Sequence, residues 1–178
     1  ISNRGKRIVF VEGEEERAIK SALIIQSNGL GVPILIGREQ HIKDTAKRIG
    51  LDGIANLEIH NAALSDKNHL YSSFLFKKLQ RKGYLYRDCQ RMVNQDRNVF
   101  GSCMVALGDA DGLVSGLTRS FNDTFNHITR VISPKEGNQF FGVCMVVSRE
   151  KTVFIGDTSI IERPKPDELA DIAEQMVS

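Results

Sequence analysis

Hydroxyl side chains, a glycine and an arginine lie close together between residues 111 and 124, where the chain reads DGLVSGLTRSFNDT. Gly116 permits close approach of a ligand to the backbone, and Arg119 offers a guanidinium fork that matches phosphate or carboxylate. The N–H groups at the start of the following helix would point at the same ligand. The segment predicts an anion site, and the alternative is a helix cap at Asn122 or Asp123 with hydroxyl groups that face solvent. The hydroxyl donors belong to Ser115, Thr118, Ser120 and Thr124.

A basic stretch lies upstream, between residues 77 and 97. Such a run is typical of a solvated helix face, and the alternative is that one or two arginines reach a ligand phosphate. No stacking platform of interleaved aromatic residues is evident and the net charge is only +2, so we expect no nucleic acid partner. The cations are Lys77, Lys78, Arg81, Lys82, Arg87, Arg91 and Arg97.

The first turn after a predicted strand is acidic rather than glycine-rich, and residues 12–17 read EGEEER. A dinucleotide-binding loop would carry glycines here, and these carboxylates would repel a pyrophosphate. We interpret them as stabilising the N-terminus of the next helix, with a role at the rim of a site as the alternative. Neither G-x-G-x-x-G nor a P-loop motif follows a predicted strand. We therefore expect no cofactor bound by this chain.

Metal-ligating and redox patterns are also lacking in the sequence. Cys89, Cys103 and Cys144 form no C-x-x-C pair, and the four histidines have no H-E-x-x-H spacing. Asp109 and Asp111 could be metal ligands, but turn formation before a strand explains them more simply. We expect buried thiols in a reducing compartment, no metal site and no catalytic residue in this chain.

Alternating strand and helix patterns must position these residues. Helical spacing from about residue 16 ends at Asn28-Gly29, a second helix ends at Gly50, and two or three helices are predicted between Lys67 and Leu107. This alternation predicts a three-layer α/β/α fold with a mostly parallel sheet. Apolar runs that predict the strands cover residues 7–11, 32–36, 57–59 and 112–115.

A polar, turn-rich stretch, residues 133–138, predicts a domain boundary. The α/β domain would then cover residues 1–133, and a second domain would begin at 138 and continue to 178. Two apolar runs in that part predict an antiparallel hairpin, and Pro166 predicts the start of a final helix. About 40 residues are too few for a self-sufficient domain. We therefore expect an incomplete second domain in a piece of a longer chain, and self-association through exposed apolar residues such as Val143, Met145 and Val147.

The composition is that of a soluble globular protein, with 41% apolar and 26% charged residues. No apolar run approaches the roughly 18–20 residues that cross a bilayer, and no signal peptide is visible. We expect a cytoplasmic protein without a membrane partner.

The sequence resembles the phosphate acetyltransferases over nearly its whole length. That likeness rests on residues 12–17, the PILIG run at 33–37, the 111–124 segment and Asp157-Thr158, in the same order and at similar spacings. A narrower resemblance is to the acetyltransferase-like C-terminal half of large bacterial NADP-dependent malic enzymes. Its motifs are YLYRDCQR at 84–91, DRNVF at 96–100, Thr118-Arg119 and the strand at Phe141-Gly142.

The resemblance implies a two-domain α/β/α fold of the isopropylmalate-dehydrogenase-like kind, with the ligand between the domains. It implies a parent enzyme that decarboxylates malate to pyruvate with NADP and Mg or Mn, through a catalytic portion outside this chain. The present region would bind acetyl-CoA or a related acyl-CoA as an inhibitor and help hold a homo-oligomer together. Arg81 would lie near the nucleotide end of CoA, and Arg119 is added on chemical grounds. The positions matched to the family for ligand binding are Arg81, Ser115, Gly116, Thr118 and Thr124.

Two positions depart from the transferases. Those proteins tend to carry an arginine two residues after the Asp-Thr pair, where this chain has Asn126, and a histidine where Arg119 stands. A missing guanidinium removes a charge-assisted contact of about 1.5–3 kcal/mol, and the family's later Ser-Arg pair has no counterpart before Ser178. We therefore expect no acetyl transfer by this chain. Two alternatives to the regulatory region stay open: a fragment of a free-standing phosphate acetyltransferase, and a structural assembly module without a ligand.

Overall fold

A four-stranded parallel sheet forms the centre of the N-terminal part of the chain. The computed structural model describes residues 5–157 and 159–177. The strand order is β3-β2-β1-β4, and every neighbouring pair is parallel. This confirms the predicted α/β class and the parallel sheet. The strands are β1 (Arg7–Phe10), β2 (Val32–Ile36), β3 (Glu58–His60) and β4 (Gly112–Val114).

Helices cover both faces of this sheet. On one face, Ile19 of the first helix packs with Leu35 and Ile42 in a buried cluster. On the other face, Val9 and Ile34 pack with Phe100 and other residues of the later helices. Full burial of one such side chain contributes about 1.5–3 kcal/mol to folding. The helices are α1 (Glu16–Ser27), α2 (Glu39–Arg48), α3 (Asn68–Leu79), α4 (Tyr86–Gln95), α5 (Arg97–Ala106) and α6 (Phe121–Val131).

The predicted breaks among these helices lie where the sequence placed them. Gly83 adopts φ +86°, in the left-handed region, between α3 and α4. Asp96 separates α4 from α5 and caps the latter, because its side chain accepts hydrogen bonds from the N–H groups of Asn98 and Val99. The glycine and the aspartate that interrupt the helical pattern therefore predicted the helix boundaries in this part of the chain.

The chain divides into two compact units, the N-terminal unit ending at Ile132 and the C-terminal unit beginning at Ser133. The C-terminal unit contains β5 (Val143–Val147), β6 (Thr152–Gly156) and α7 (Pro166–Val177). β5 and β6 pair antiparallel, as the sequence predicted. Its apolar side chains are largely exposed, and Met145 and Val147 keep 61% and 66% of their surface in solvent.

The expectation of buried thiols is correct for Cys89 and Cys103 and wrong for Cys144. Cys144 lies on β5, where the two-stranded sheet alone covers too little surface to bury it. Cys103 is fully buried, and this burial raises the pKa of its thiol to about 12. Within the described residues, no helix combines the length and the hydropathy needed to cross a membrane.

Candidate functional site

The order of the strands places a crevice between β1 and β4. The chain moves from β1 to β2 and β3 on one side, then returns to add β4 on the other side of β1. In open α/β sheets, ligands bind beyond the carboxyl ends of the strands at this reversal of strand order. Glu12 follows β1 and Ser115 follows β4. The predicted anion loop therefore lies where the topology favours a ligand.

The anion in this crevice is the carboxylate of Glu12. Its oxygens accept hydrogen bonds from the backbone N–H groups of Gly116 at 2.9 Å, Leu117 at 2.6 Å and Thr118 at 2.6 Å. The Thr118 hydroxyl donates a fourth bond at 2.5 Å. Burial alone would raise the pKa of Glu12, but the bonds from Thr118, Leu117 and Gly116 outweigh it and lower the pKa. The negative charge that this loop binds in the structure therefore belongs to the protein itself, and binding of a ligand anion by the loop stays a prediction.

A second carboxylate of the acidic turn, Glu14, ties two further segments together. The Arg38 N–H and Nε donate to one oxygen of Glu14 at 2.8 and 3.0 Å, and Arg97 Nη2 lies 2.8 Å from the other oxygen. Burial alone would raise the pKa of Glu14, but the hydrogen bonds from Arg38 and Arg97 outweigh burial and lower the pKa from 4.5 to about 2. The end of β2 and the start of α5 are therefore fixed to the turn after β1.

The depressed pKa of Glu14 predicts an acid-sensitive contribution to stability. The contribution is complete above pH 4.5 and is lost as the pH falls towards about 2, because protonation removes both ion pairs. We expect Glu14→Gln to reduce the free energy of unfolding by about 2 kcal/mol at neutral pH and to have almost no effect near pH 2. Urea denaturation of both proteins at several pH values measures the difference. A loss that is the same at every pH would contradict the assignment.

Asp96 is the third carboxylate of the site and is held by groups from two directions. One oxygen accepts the N–H groups of Asn98 and Val99, at 2.9 and 3.1 Å. The other accepts Arg119 Nη1 at 2.5 Å and lies 3.2 Å from Nδ1 of His127, without the geometry of a hydrogen bond. Arg119, whose side chain keeps 41% of its surface in solvent, is therefore oriented by a carboxylate that is itself fixed.

Four of the six predicted site residues share one loop. Gly116 and Thr118 bind Glu12, Ser115 Oγ lies 2.7 Å from Asn98 Oδ1, and Arg119 pairs with Asp96. Thr124 follows in α6, but it is buried at 7% exposure, and its hydroxyl oxygen has no partner among the described residues.

The cap of α6 also differs from the expectation. It is Ser120, whose side chain accepts the Asp123 N–H, and not Asn122 or Asp123. Ser120 has the extended backbone that a cap requires, with φ −63° and ψ 155°.

Arg81 does not join this loop. It lies in a short 3₁₀ turn, Gln80–Lys82, just before α4, whereas Asp96 and its partner Arg119 lie beyond the other end of α4. The ten residues of α4 span about 15 Å. Arg81 and Arg119 therefore belong to segments at different ends of α4.

Sequence reasoning missed the carboxylates that organise this site. The acidic pattern of residues 12–17 indicates charges at a helix N-terminus, with the rim of a site as the alternative. In the structure α1 begins at Glu16, and neither Glu12 nor Glu14 caps it. Asp96 carried a usable signal, since an aspartate just before a helical run is a frequent cap. Asn98 carried none, because its bond to Ser115 depends on the approach of α5 to β4.

Asp157, in the C-terminal unit, shows a similar arrangement. Its carboxylate accepts the N–H groups of Ser159, Ile160 and Ile161, at 2.8, 3.2 and 2.9 Å. Burial alone would raise the pKa of Asp157, but these hydrogen bonds outweigh burial and lower the pKa. Its neighbour Thr158, singled out with it in the sequence, lies outside the described residues. Asp157 therefore organises its own loop.

Comparison with known proteins shows which proteins the chain is similar to. The chain is 47% identical over 171 residues to a probable NADP-dependent malic enzyme of Rickettsia prowazekii, covering 96% of this chain and 22% of that protein. It is 46% identical to an NADP-dependent malic enzyme of Rhizobium meliloti, covering 98% and 23%. A phosphate acetyltransferase of Staphylococcus aureus is 32% identical, covering 97% and 52%.

Solved structures agree with the sequence comparison. The EutD phosphotransacetylase from Staphylococcus aureus superposes with a TM-score of 0.86 at 30% identity, covering 95% of this chain and 51% of that one. A phosphotransacetylase from Streptococcus pyogenes gives 0.83 at 29% identity, with the same coverage. The chain thus spans between about a fifth and a half of the length of these relatives. Residues 1–178 match the phosphate acetyl/butaryl transferase family, and the chain belongs to that family.

Proposed function

We propose that this chain is the acetyltransferase-like region of an NADP-dependent malic enzyme, with a regulatory rather than a catalytic role. The observation that carries the proposal is the difference in identity, 47% and 46% to two malic enzymes against 32% to a phosphate acetyltransferase. The parent reaction would be the oxidative decarboxylation of malate to pyruvate. That chemistry needs NADP and a divalent metal.

The described residues do not fit either of these groups. Glu12 places a negative charge at the position where a dinucleotide fold would bind pyrophosphate. Among residues 5–157 and 159–177, no cluster of three His, Cys, Asp or Glu side chains could hold a metal ion. The proposal therefore assigns the redox and decarboxylation steps to the remainder of the parent enzyme, and assigns only ligand binding to this chain.

The proposed ligand is acetyl-CoA or a related acyl-CoA, bound near the loop that follows β4. Arg119 supports this assignment, because its guanidinium is half-exposed and held in position by Asp96. A phosphate group could approach the donors of Arg119 that face away from Asp96. The N–H groups of Gly116 and Thr118 already bind Glu12. They therefore shape the loop, and they would meet a ligand only if Glu12 were displaced.

Replacing Arg119 with alanine tests this proposal. We expect the dissociation constant for acetyl-CoA to rise about 10-fold or more, since a charge-assisted contact contributes about 1.5–3 kcal/mol. Isothermal titration calorimetry measures the affinity, and Arg48→Ala, at an exposed position of α2, is the matched control. A melting curve shows whether Arg119→Ala remains folded. Unchanged affinity in the folded variant would show that Arg119 does not contact the ligand. If the unsubstituted chain gives no heat on titration with acetyl-CoA, the structural assembly module is favoured instead.

The effect on the parent enzyme needs a separate measurement. We expect acetyl-CoA to inhibit malate-dependent NADP reduction by the full-length protein, and Arg119→Ala to require a higher acetyl-CoA concentration for the same inhibition. Inhibition that is equal in both proteins would place the regulatory site elsewhere.

A phosphate acetyltransferase is the second candidate, favoured by the TM-score of 0.86 to a phosphotransacetylase. Release of CoA from acetyl-CoA and phosphate, or the reverse reaction with acetyl phosphate, separates the two candidates. Turnover by this chain would support the transferase. We expect none, because Asn126 stands where the transferases tend to carry an arginine.

Self-association forms part of the same proposal. β5 and β6 expose apolar side chains, of which Val143, Met145 and Phe154 keep between 50% and 61% of their surface in solvent. Exposed apolar patches commonly mark protein interfaces. A homo-oligomer that covers this hairpin is therefore the assembly we propose.

A further inference from the structure

A basic pocket of about 620 Å³ lies at the end of α4 opposite to the Glu12 crevice. We define the basic pocket by its charged residues Lys82, Asp88, Arg91 and Arg130, with Tyr84 and Met92 as its apolar wall. These residues come from the turn before α4, from α4 and from the last turn of α6. Three separate segments therefore direct cations into one concavity.

The positive charges of the basic pocket are poorly compensated. Within the described part of the chain, Lys82 and Arg130 make no ion pair or hydrogen bond through their side chains. Arg91 meets Asp88 at 3.4 Å, and the other oxygen of Asp88 accepts the N–H of Leu85. Three cations thus face one carboxylate that is already engaged, which leaves two positive charges in excess.

A further lysine shows how crowded these cations are. Lys78 lies one turn before Lys82, is half-buried, and donates to the carbonyl oxygen of Val131 at the end of α6. Burial, and then repulsion from Lys82, lower the pKa of Lys78. The amine of Lys78 is engaged in holding α3 to α6. Lys82 and the two arginines are therefore the groups left to meet a ligand.

The wall of the basic pocket favours a small molecule over an extended polymer. Tyr84 and Met92 are half-buried and pack against the main core, so the apolar side is fixed. A volume of about 620 Å³ lies within the range of small-molecule sites. Two guanidinium forks suit a phosphate group better than an isolated carboxylate, because several phosphate oxygens can accept at once.

We propose that the basic pocket binds the phosphate groups of a small phosphorylated ligand, with Arg91 and Arg130 as its principal contacts. The excess of two positive charges matches a phosphate dianion or a diphosphate. The ligand has two possible sources, a separate phosphorylated metabolite and the nucleotide end of the acyl-CoA proposed above.

Titration of the protein with inorganic pyrophosphate at low ionic strength tests the proposal. We expect saturable binding by calorimetry, and a loss of affinity of about tenfold for Arg91→Gln and again for Arg130→Gln. Arg48→Gln is the matched control, because Arg48 lies in the last turn of α2 and is exposed, and Arg130 lies in the last turn of α6. Both glutamine variants change half-buried or exposed positions, and a melting curve verifies their fold.

Each outcome decides the proposal. No saturation at millimolar pyrophosphate, an equal loss for Arg48→Gln, or tighter binding of citrate or a single-stranded oligonucleotide would overturn it. Displacement of pyrophosphate by acetyl-CoA would identify the CoA source, and simultaneous binding would identify a separate ligand. Arg119 is not among the residues that line the basic pocket. Pyrophosphate binding and acetyl-CoA binding at Arg119 can therefore fail independently.

Discussion

Replacing Glu12 with glutamine is expected to lower the free energy of unfolding of the N-terminal unit by about 3 kcal/mol. The carboxylate accepts four hydrogen bonds from three consecutive residues, Gly116 to Thr118, and is only 8% exposed. A glutamine amide offers one acceptor oxygen and turns two N–H donors towards the remaining donors of the loop. At least one buried donor then loses its partner, at a cost of about 1–3 kcal/mol, in addition to the lost charge.

Tyrosine fluorescence during urea denaturation measures the loss of unfolding free energy in the N-terminal unit specifically. The chain has three tyrosines and no tryptophan, and Tyr71, Tyr84 and Tyr86 all precede the boundary at Ile132. Glu15→Gln is the matched control, because Glu15 is an exposed neighbour in the same turn whose side chain makes no capping hydrogen bond. We expect a change below about 1 kcal/mol for that control. Equal losses in the two variants would show that the bonds to the loop contribute little.

The stability of this contact bears on ligand binding. The N–H groups of Gly116, Leu117 and Thr118 form a nest that is occupied by the Glu12 carboxylate. A ligand anion can enter this nest only if its own hydrogen bonds there compensate for those that Glu12 loses. Glu12→Gln therefore separates two hypotheses for the acyl-CoA site. Tighter acetyl-CoA binding in the variant would mean that ligand and Glu12 compete for the nest, and unchanged binding would mean that Arg119 and its surroundings are sufficient.

Local patterns predicted the architecture well because each strand and helix is encoded by adjacent residues. The apolar run at 32–36 and the glycines at 29 and 50 define β2 and the ends of α1 and α2 without reference to the rest of the chain. Apolar residues at a spacing of 3.6 indicate a helix that is buried on one face, and a short continuous apolar run indicates a strand that is buried on both faces. Both patterns can be read from the segment alone. The parallel sheet followed from their alternation.

The candidate site was predicted only in part because its bonds join distant residues. The residue types in the 115–119 loop predict a site for a ligand anion, and in the structure the N–H groups of the loop bind a carboxylate of the chain itself. The partner, Glu12, lies 104 residues before Gly116 and meets it only because β4 is placed beside β1. Composition suggested that acidic residues would repel an anion there, whereas the fold uses one of them as the anion. Arg81 lies in the turn before α4, away from the 115–119 loop, and its expected place near the nucleotide end of CoA stays a prediction.

Substituting alanine for Gly13 is the second change with a large expected effect, again about 3 kcal/mol. A Cβ atom at this position would lie 2.8 Å from the backbone nitrogen and oxygen of Ile36 and 2.9 Å from Cβ of Leu35. These atoms belong to a buried strand that is paired on both sides, so they cannot move without disturbing the sheet. The turn after β1 must then move instead, and it would carry Glu12 and Glu14 away from their partners.

Gly112→Ala is the matched control, because Gly112 lies in β4 and a Cβ atom there would meet nothing within 4 Å. We expect that variant to be neutral or slightly stabilising, since alanine restricts the unfolded chain more than glycine does. A loss for Gly13→Ala no greater than for Gly112→Ala would contradict the close approach. The double variant Glu12→Gln with Gly13→Ala extends the test. If Gly13 positions Glu12, the combined loss must be smaller than the sum of the two single losses, because the carboxylate bonds are already broken in the alanine variant.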